Sequence, residues 1–201
     1  MRIGLYGGTF DPIHLGHLIL AETCREQCRL DQVVFIPAGN PPHKQGHELT
    51  NGAQRADMVE FAVAGYPEFV VNRSEIKKAG PSYTIETLQT FRQDHPDDEL
   101  FLLMGSDSLN EFLLWKEPRE IATLASLIVV NRGRIAPPNL GPLVPHLGAD
   151  AVDRIRCITM PGIDLSASEL RDRARNEQSL RYLTPRAVER FIVEHKVYQA
   201  K

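Results

Sequence analysis

The sequence predicts a doubly wound α/β fold, a parallel sheet with helices on both faces, built as a single domain over residues 1–201. Short apolar runs of strand length alternate with segments whose apolar residues recur at helical spacing. No repeat, low-complexity tract or long linker interrupts that alternation. The length suffices for one substantial core and is too short for two full catalytic domains.

The apolar runs place strands at Arg2 to Tyr6, Gln32 to Pro37, Phe69 to Asn72, Glu99 to Gly105, Ser126 to Asn131 and Arg156 to Thr159. The first helix is expected from about Leu15 to Arg29, with Leu18, Ala21, Cys24 and Cys28 on one stripe and Glu22, Glu26 and Arg29 in water. Thr50 or Asn51 can cap a second helix carrying Met58, Val59, Ala62 and Val63, and Ser82 a third carrying Ile85, Leu88 and Phe91. Ser166 and Glu169 have the spacing of a capping box, so another helix starts after the turn at Pro161-Gly162. In the last helix Thr184 is the expected N-cap, Pro185 suits the first helical position, and Val188, Phe191 and Ile192 form the buried stripe. Ligands of such sheets sit beyond the carboxyl ends of the strands, so chemistry is sought in the segments just after them.

Charge totals of 23 basic and 26 acidic residues give a net of −3, which argues against a nucleic acid polymer or a membrane surface as partner. A small anion needs only a local positive site. The longest apolar runs, such as Phe101 to Met104 and Leu127 to Val130, are far short of a membrane span, and Met1-Arg2 leads into a strand rather than a signal peptide. A cytoplasmic location is therefore expected. Cys24, Cys28 and Cys157 are read as packing residues: an odd number without a Cys-x-x-Cys pair fits a reducing compartment. Cys24 with Cys28 and His43 with His47 are each four apart, but the cysteines have no further ligand nearby in sequence, and Pro41, Pro42 and Gly46 argue against the helix that would bring the histidines together. No metal is assigned to the chain's own side chains.

Directly after the first strand comes Gly7-Gly8-Thr9-Phe10-Asp11-Pro12-Ile13-His14-Leu15-Gly16-His17, running into the first helix. Two glycines allow a sharp backbone turn, and their amides with the positive end of the helix make an anion site of Gly7, Gly8, Thr9 and Phe10. His14 and His17 are three apart and can both reach one polyphosphate, while Gly16 leaves the helix start uncovered. An ordinary turn with surface histidines is the alternative; the strand before and the helix behind favour the phosphate site. Neither the Gly-x-x-x-x-Gly-Lys-Ser/Thr loop nor the glycine spacing of a dinucleotide fingerprint is present. Near the other end, Ile163-Asp164-Leu165-Ser166-Ala167-Ser168-Glu169-Leu170-Arg171 can be a plain capping box or a second anion site, with Ser166 and Ser168 adding hydroxyls and Arg171 a charged clamp.

Together these two segments resemble the nucleotidyltransferase family marked by (His/Thr)-x-Gly-His and Ile-Ser-Ser-Thr-x-x-Arg. Within it the chain is similar to the bacterial nicotinate-nucleotide adenylyltransferases. The likeness extends through IPAGNPPHK at Ile36 to Lys44, PSYTIETL at Pro81 to Leu88, GSDSLNEFLLWK at Gly105 to Lys116, VVNRG at Val129 to Gly133, and YLTPRAVERFIVEHKVY near the end. There are two departures. Leu165-Ser166-Ala167-Ser168 stands where the family has Ile-Ser-Ser-Thr, and Lys116 follows Trp115 where an aromatic residue is common.

The resemblance implies a Rossmann-like nucleotidyltransferase fold and attack by the 5′-phosphate of nicotinate mononucleotide on the α-phosphorus of ATP, giving deamido-NAD and pyrophosphate. Mg²⁺ carried with ATP is the implied cofactor. His17 and His14 would donate to the α-phosphate, and Ser166, Ser168 and Arg171 would hold the β- and γ-phosphates. Lys44, in a Pro/Gly-rich loop from about Ala38 to Thr50, is assigned to the incoming phosphate, with a solvated surface lysine as alternative. Asp107 would take the ribose hydroxyls while Gly105 lets the sugar approach; otherwise Asp107 caps a helix. Trp115 would stack on the pyridine ring or else pack in the core, and Arg132 would lie beside the adenine. Thr84 at a helix start offers amides that favour a carboxylate over a neutral amide. Competing readings are an adenylyltransferase acting on nicotinamide mononucleotide or phosphopantetheine, a cytidylyltransferase, and a non-catalytic nucleotide sensor.

Overall fold

The structure, a computed structural model, describes residues 1–41, 49–133 and 136–199. Strands β1 (Arg2–Gly8), β2 (Gln32–Pro37), β3 (Phe69–Val71), β4 (Glu99–Gly105), β5 (Ser126–Arg132) and β6 (Arg156–Met160) form one sheet in the order β3-β2-β1-β4-β5-β6, with every neighbouring pair parallel. Helices α1 (Leu15–Cys28), α2 (Gly52–Val63), α3 (Ser74–Lys77), α4 (Thr84–Asp94), α5 (Ser106–Glu111), α6 (Pro118–Leu124), α7 (Val144–Leu147) and α8 (Ala149–Asp153) lie between them, and α9 (Ala167–Arg175) and α10 (Arg186–Glu194) follow β6.

Both faces of each central strand are buried, which is why these strands read as continuous apolar runs rather than alternating ones. On β4, Phe101 and Leu103 point to one face, where they pack with Leu20, Cys24, Met58, Leu170 and Ile192. Leu100, Leu102 and Met104 point to the other, among Ile85, Leu88, Leu109, Ile121 and Val152. The first face is covered by α1, α2, α9 and α10 and the second chiefly by α4, α5, α6 and α8. Late elements α9 and α10 thus share a core with α1.

The chain steps outward from β1 through β2 to β3, then returns to the other side of β1 as β4. That reversal leaves a crevice beyond the carboxyl ends of β1 and β4, at Gly8 and Gly105.

Several sequence expectations need correcting in detail. β1 extends through Gly7 and Gly8, which pair with Ile36 and Pro37 in the ladder, so the glycines do not form the turn. The turn falls after them, with Phe10 at φ 48° in the left-handed region. Ser82 does not cap α4; Tyr83 occupies that position, and the buried Ser82 hydroxyl instead accepts from the Asn40 amide at 3.4 Å. Thr184 is displaced as N-cap by Pro185, because its hydroxyl donates to the Ile13 carbonyl at 2.7 Å. Asn51 caps α2 as expected, accepting from the Ala53 amide at 2.8 Å. Cys24 and Cys28 are buried, but Cys157 on edge strand β6 is exposed and packs no core. Among the described residues no helix is long and apolar enough to cross a membrane.

Candidate active site

A cavity of about 510 Å³ opens at the crevice, within the range typical of small-molecule sites. Its wall includes Gly7, Gly8, Thr9 and Phe10 from the end of β1, Gly105 and Asp107 after β4, Arg132 at the end of β5, and His17, Thr84 and Trp115. Ten residues singled out in the sequence therefore meet in one space. The glycines bare the backbone. A Cβ on Gly7 would meet nothing within 4 Å, so the strand faces open volume there, whereas one on Gly8 would stand 2.8 Å from the Phe10 ring.

The two histidines are placed differently. His14 is the N-cap residue of α1 and is 3% exposed; it does not line the cavity. His17, one turn on, does, and its ring lies on that of His14 with centroids 3.7 Å apart. The His14 backbone N–H donates to His17 Nδ1 at 3.2 Å. A neutral His17 must then carry its proton on Nε2, so its tautomer is set by the start of the helix. Burial, reinforced by the Arg132 charge, lowers the His14 pKa from 6.5 to about 4, keeping that ring neutral near pH 7. Gly16 relieves crowding in this arrangement, since a Cβ there would sit 3.0 Å from His14 Nδ1.

Ser166, Ser168 and Arg171 lie outside the wall of the cavity, at the N-terminus of α9. Ser166 caps the helix by accepting from the Glu169 amide at 3.1 Å, which realises that half of the expected box. Arg171 Nη2 donates to Ser168 Oγ at 3.1 Å, and Nη1 donates to the Asp11 carbonyl at 2.8 Å. The early and late motifs are thus in direct contact. Ala167, which lacks the family's hydroxyl, opens α9 between the two serines.

On the far side Thr84 is the first residue of α4, so its surroundings are the amide-rich end of a helix, as the sequence implied. Trp115 is half-buried, in edge contact with Phe112, and lines the cavity. Lys116, the departure from the family pattern, pairs with Glu86 at 3.0 Å and lies 4.5 Å from the Tyr83 ring centroid. Asp107 is exposed within the first turn of α5, whose N-cap is Gly105, so it is not the capping residue. Lys44, with His43 and His47, falls outside the described residues.

Two contributors escaped the sequence reading. Glu75 lines the cavity and accepts from Thr87 Oγ1 at 2.6 Å; burial raises its pKa, against the pull of hydrogen bonds from Thr87, Ser82 and the Gly39 amide. Arg55 is 1% exposed and donates to the carbonyls of Thr50, Thr9, Ala38 and Gly39 at 2.6–3.2 Å. It ties the loops after β1 and β2 together. Its position, three and four residues before Met58 and Val59, puts it on the buried stripe of α2, which was the available signal. Among the described residues no group of three or more His, Cys, Asp or Glu side chains could hold a metal.

Residues 5–173 match the cytidylyltransferase-like family. A protein of Trichlorobacter lovleyi named probable nicotinate-nucleotide adenylyltransferase is 42% identical, covering 99% of this chain and all of that one. The chain belongs to this family. A relative of the same name from Thermomicrobium roseum is 41% identical over 98% of this chain and 92% of its own. Among solved structures, Plasmodium falciparum nicotinic acid mononucleotide adenylyltransferase complexed with NaAD superposes with a TM-score of 0.77 at 17% identity, covering 98% of this chain and 97% of that one. At that identity the likeness speaks for the fold, here the Rossmann-like nucleotidyltransferase fold.

Proposed function

We propose that this member of the nicotinate-nucleotide adenylyltransferase family transfers the AMP moiety of ATP to the 5′-phosphate of nicotinate mononucleotide, forming deamido-NAD and pyrophosphate in NAD biosynthesis. The carrying observation is the convergence of His17, Gly8, Gly105, Arg132, Thr84 and Trp115 on one cavity at the reversal point of the sheet. Full-length similarity to relatives bearing that name supports the same reading.

No protein nucleophile is needed, because a phosphate monoester is already ionised near neutral pH. The chain's task is to align two anions and to stabilise the charge that builds on the transferring group. His17, with its proton on Nε2, donates to the α-phosphate; His14, neutral and buried, supports that ring and shapes the helix start. Arg171, Ser166 and Ser168 hold the β- and γ-phosphates at the end of α9, and Thr9 and Phe10 border the triphosphate. Gly105 and Asp107 face the ribose, and Arg132 the adenine. Thr84 and Trp115 take the nicotinate carboxylate and ring, and Lys44 the incoming phosphate.

Mg²⁺ is the proposed cation. Carried with ATP, it would supply positive charge to offset the charge on the departing pyrophosphate. We place the protein in the cytoplasm as one catalytic domain over residues 1–201, acting on small nucleotides and not on nucleic acid or membrane. The deciding assay supplies ATP and Mg²⁺ with nicotinate mononucleotide, nicotinamide mononucleotide or phosphopantetheine, and follows pyrophosphate release with chromatography of the product. Deamido-NAD formed from the first alone is expected. Equal turnover of nicotinamide mononucleotide would remove the assigned role of Thr84, and tight ATP binding without any product would make the protein a sensor.

A further inference from the structure

We propose that Tyr198 and Asp11 form a positioning latch, through which the C-terminal segment holds the loop after β1 so that His14 and His17 keep the geometry transfer requires. This rests on the adenylyl-transfer reading above. Tyr198 donates its hydroxyl hydrogen to Asp11 Oδ1 at 2.7 Å across 187 positions of sequence. The other carboxyl oxygen of Asp11 accepts from the Thr50 amide at 3.2 Å, and the Asp11 carbonyl accepts from Arg171 at 2.8 Å. Asp11 is 3% exposed, so it has left water and depends on these donors.

The latch is one of a set on the same short loop. Thr184 donates to the Ile13 carbonyl at 2.7 Å, and the Leu15 amide donates to the Leu183 carbonyl at 3.0 Å. Each anchor on this stretch from the end of the chain lies within a few residues of His14 and His17. The loop is irregular, with Phe10 in the left-handed region, and its course is set by such contacts rather than by a ladder of its own. Tyr198 is itself at φ 76°, a conformation that a non-glycine residue keeps only where the surroundings fix it. Burial, with the Asp11 carboxyl beside it, raises the Tyr198 pKa, so the hydroxyl stays protonated and donating across the working pH range. A small shift of the loop would move His17 Nε2 away from the oxygen on which charge builds. That costs turnover more than substrate binding.

The test is Tyr198→Phe, which deletes one oxygen and keeps the ring. Turnover should fall about tenfold or more while KM for ATP and for nicotinate mononucleotide stays within about twofold. In ¹⁵N spectra of the histidine rings, with His17 assigned by comparison with His17→Gln, the wild type should show a single Nε2–H tautomer and the variant a mixture. Thr184→Val removes the neighbouring anchor and should move both readouts the same way. A lower Tm with unchanged turnover and an unchanged His17 tautomer in both variants would overturn the latch. A wild type without turnover on any mononucleotide, whose His17 tautomer still responds to Tyr198→Phe, would remove the transferase reading and keep the latch.

Discussion

The His17 ring lies 3.7 Å from the His14 ring, tilted by 22°, and takes the His14 amide hydrogen on Nδ1. One nitrogen of His17 is thereby committed to the helix start and the other is left to carry the proton. Replacing His17 by Ala should slow turnover about a hundredfold or more, the usual loss when one donor to developing charge is removed. Gln, whose amide nitrogen reaches the place of Nε2, should recover part of that loss. Asn, which reaches only the place of Nδ1, should not. Steady-state kinetics on the three variants separates the two nitrogens.

Burial of neutral His14 predicts a pH dependence of stability. The unfolded chain binds a proton at this residue from about pH 6.5 downward, whereas the folded protein resists until about pH 4. More protons are bound in the unfolded state across that window, so stability declines as pH falls through it and levels off below. The contribution is about 3 kcal/mol. Urea unfolding at pH 7 and pH 4 should show the wild type losing about that much more than His14→Gln; equal losses would mean that the folded protein protonates this ring without penalty.

Selectivity for an anionic substrate can be tested at the start of α4. Tyr83, at φ −110° and ψ 131°, already has the extended backbone that a following proline demands, and Thr84 is the first helical residue, where proline is well tolerated. Thr84→Pro therefore removes one amide donor and leaves the helix in place. The preference for nicotinate over nicotinamide mononucleotide should fall about tenfold, the order of one hydrogen bond to a charged group. Thr84→Ala keeps the amide and should keep the preference. The ratio of kcat/KM values reads the outcome.

Arg55 offers a prediction about stability. Its guanidinium holds four carbonyl groups from the loops after β1 and β2 and the start of α2. Arg55→Met would leave those acceptors buried and should cost about 3–5 kcal/mol in denaturant unfolding. Lys should not rescue it, because one ammonium cannot span the positions that the planar fork reaches.

The strands were the most legible part of the sequence. Central parallel strands are buried on both faces, so Leu100 to Met104 and Leu127 to Val130 stand out without any knowledge of their partners. The cavity-lining residues after β1 were legible for a different reason, since Gly7 to His17 is continuous in sequence and lies between a strand and a helix. The glycines were nonetheless given the wrong job: they extend β1 and bare its backbone to the cavity, and the turn comes at Phe10. Ser82 and Thr184 were misread as caps because a hydroxyl before a helix has that use locally, while here their partners, Asn40 and Ile13, come from elsewhere in the chain. Arg55 and Glu75 were missed because a charged residue in a sequence looks solvated until the carbonyls or hydroxyls that receive it are brought alongside. Tertiary partners, not local propensity, decide such residues.

The hydroxyl of Thr184 and the carbonyl of Ile13, which are bonded across 171 positions, carry a consequence for biosynthesis. A ribosome makes the histidine loop almost at once, yet the groups that pin it emerge only after every strand of the sheet has been translated. Contacts of such long range are slow to form and close late. The nascent protein should therefore acquire its sheet well before its chemistry, gaining nucleotide turnover only when the Leu183-Thr184 segment docks against the start of α1.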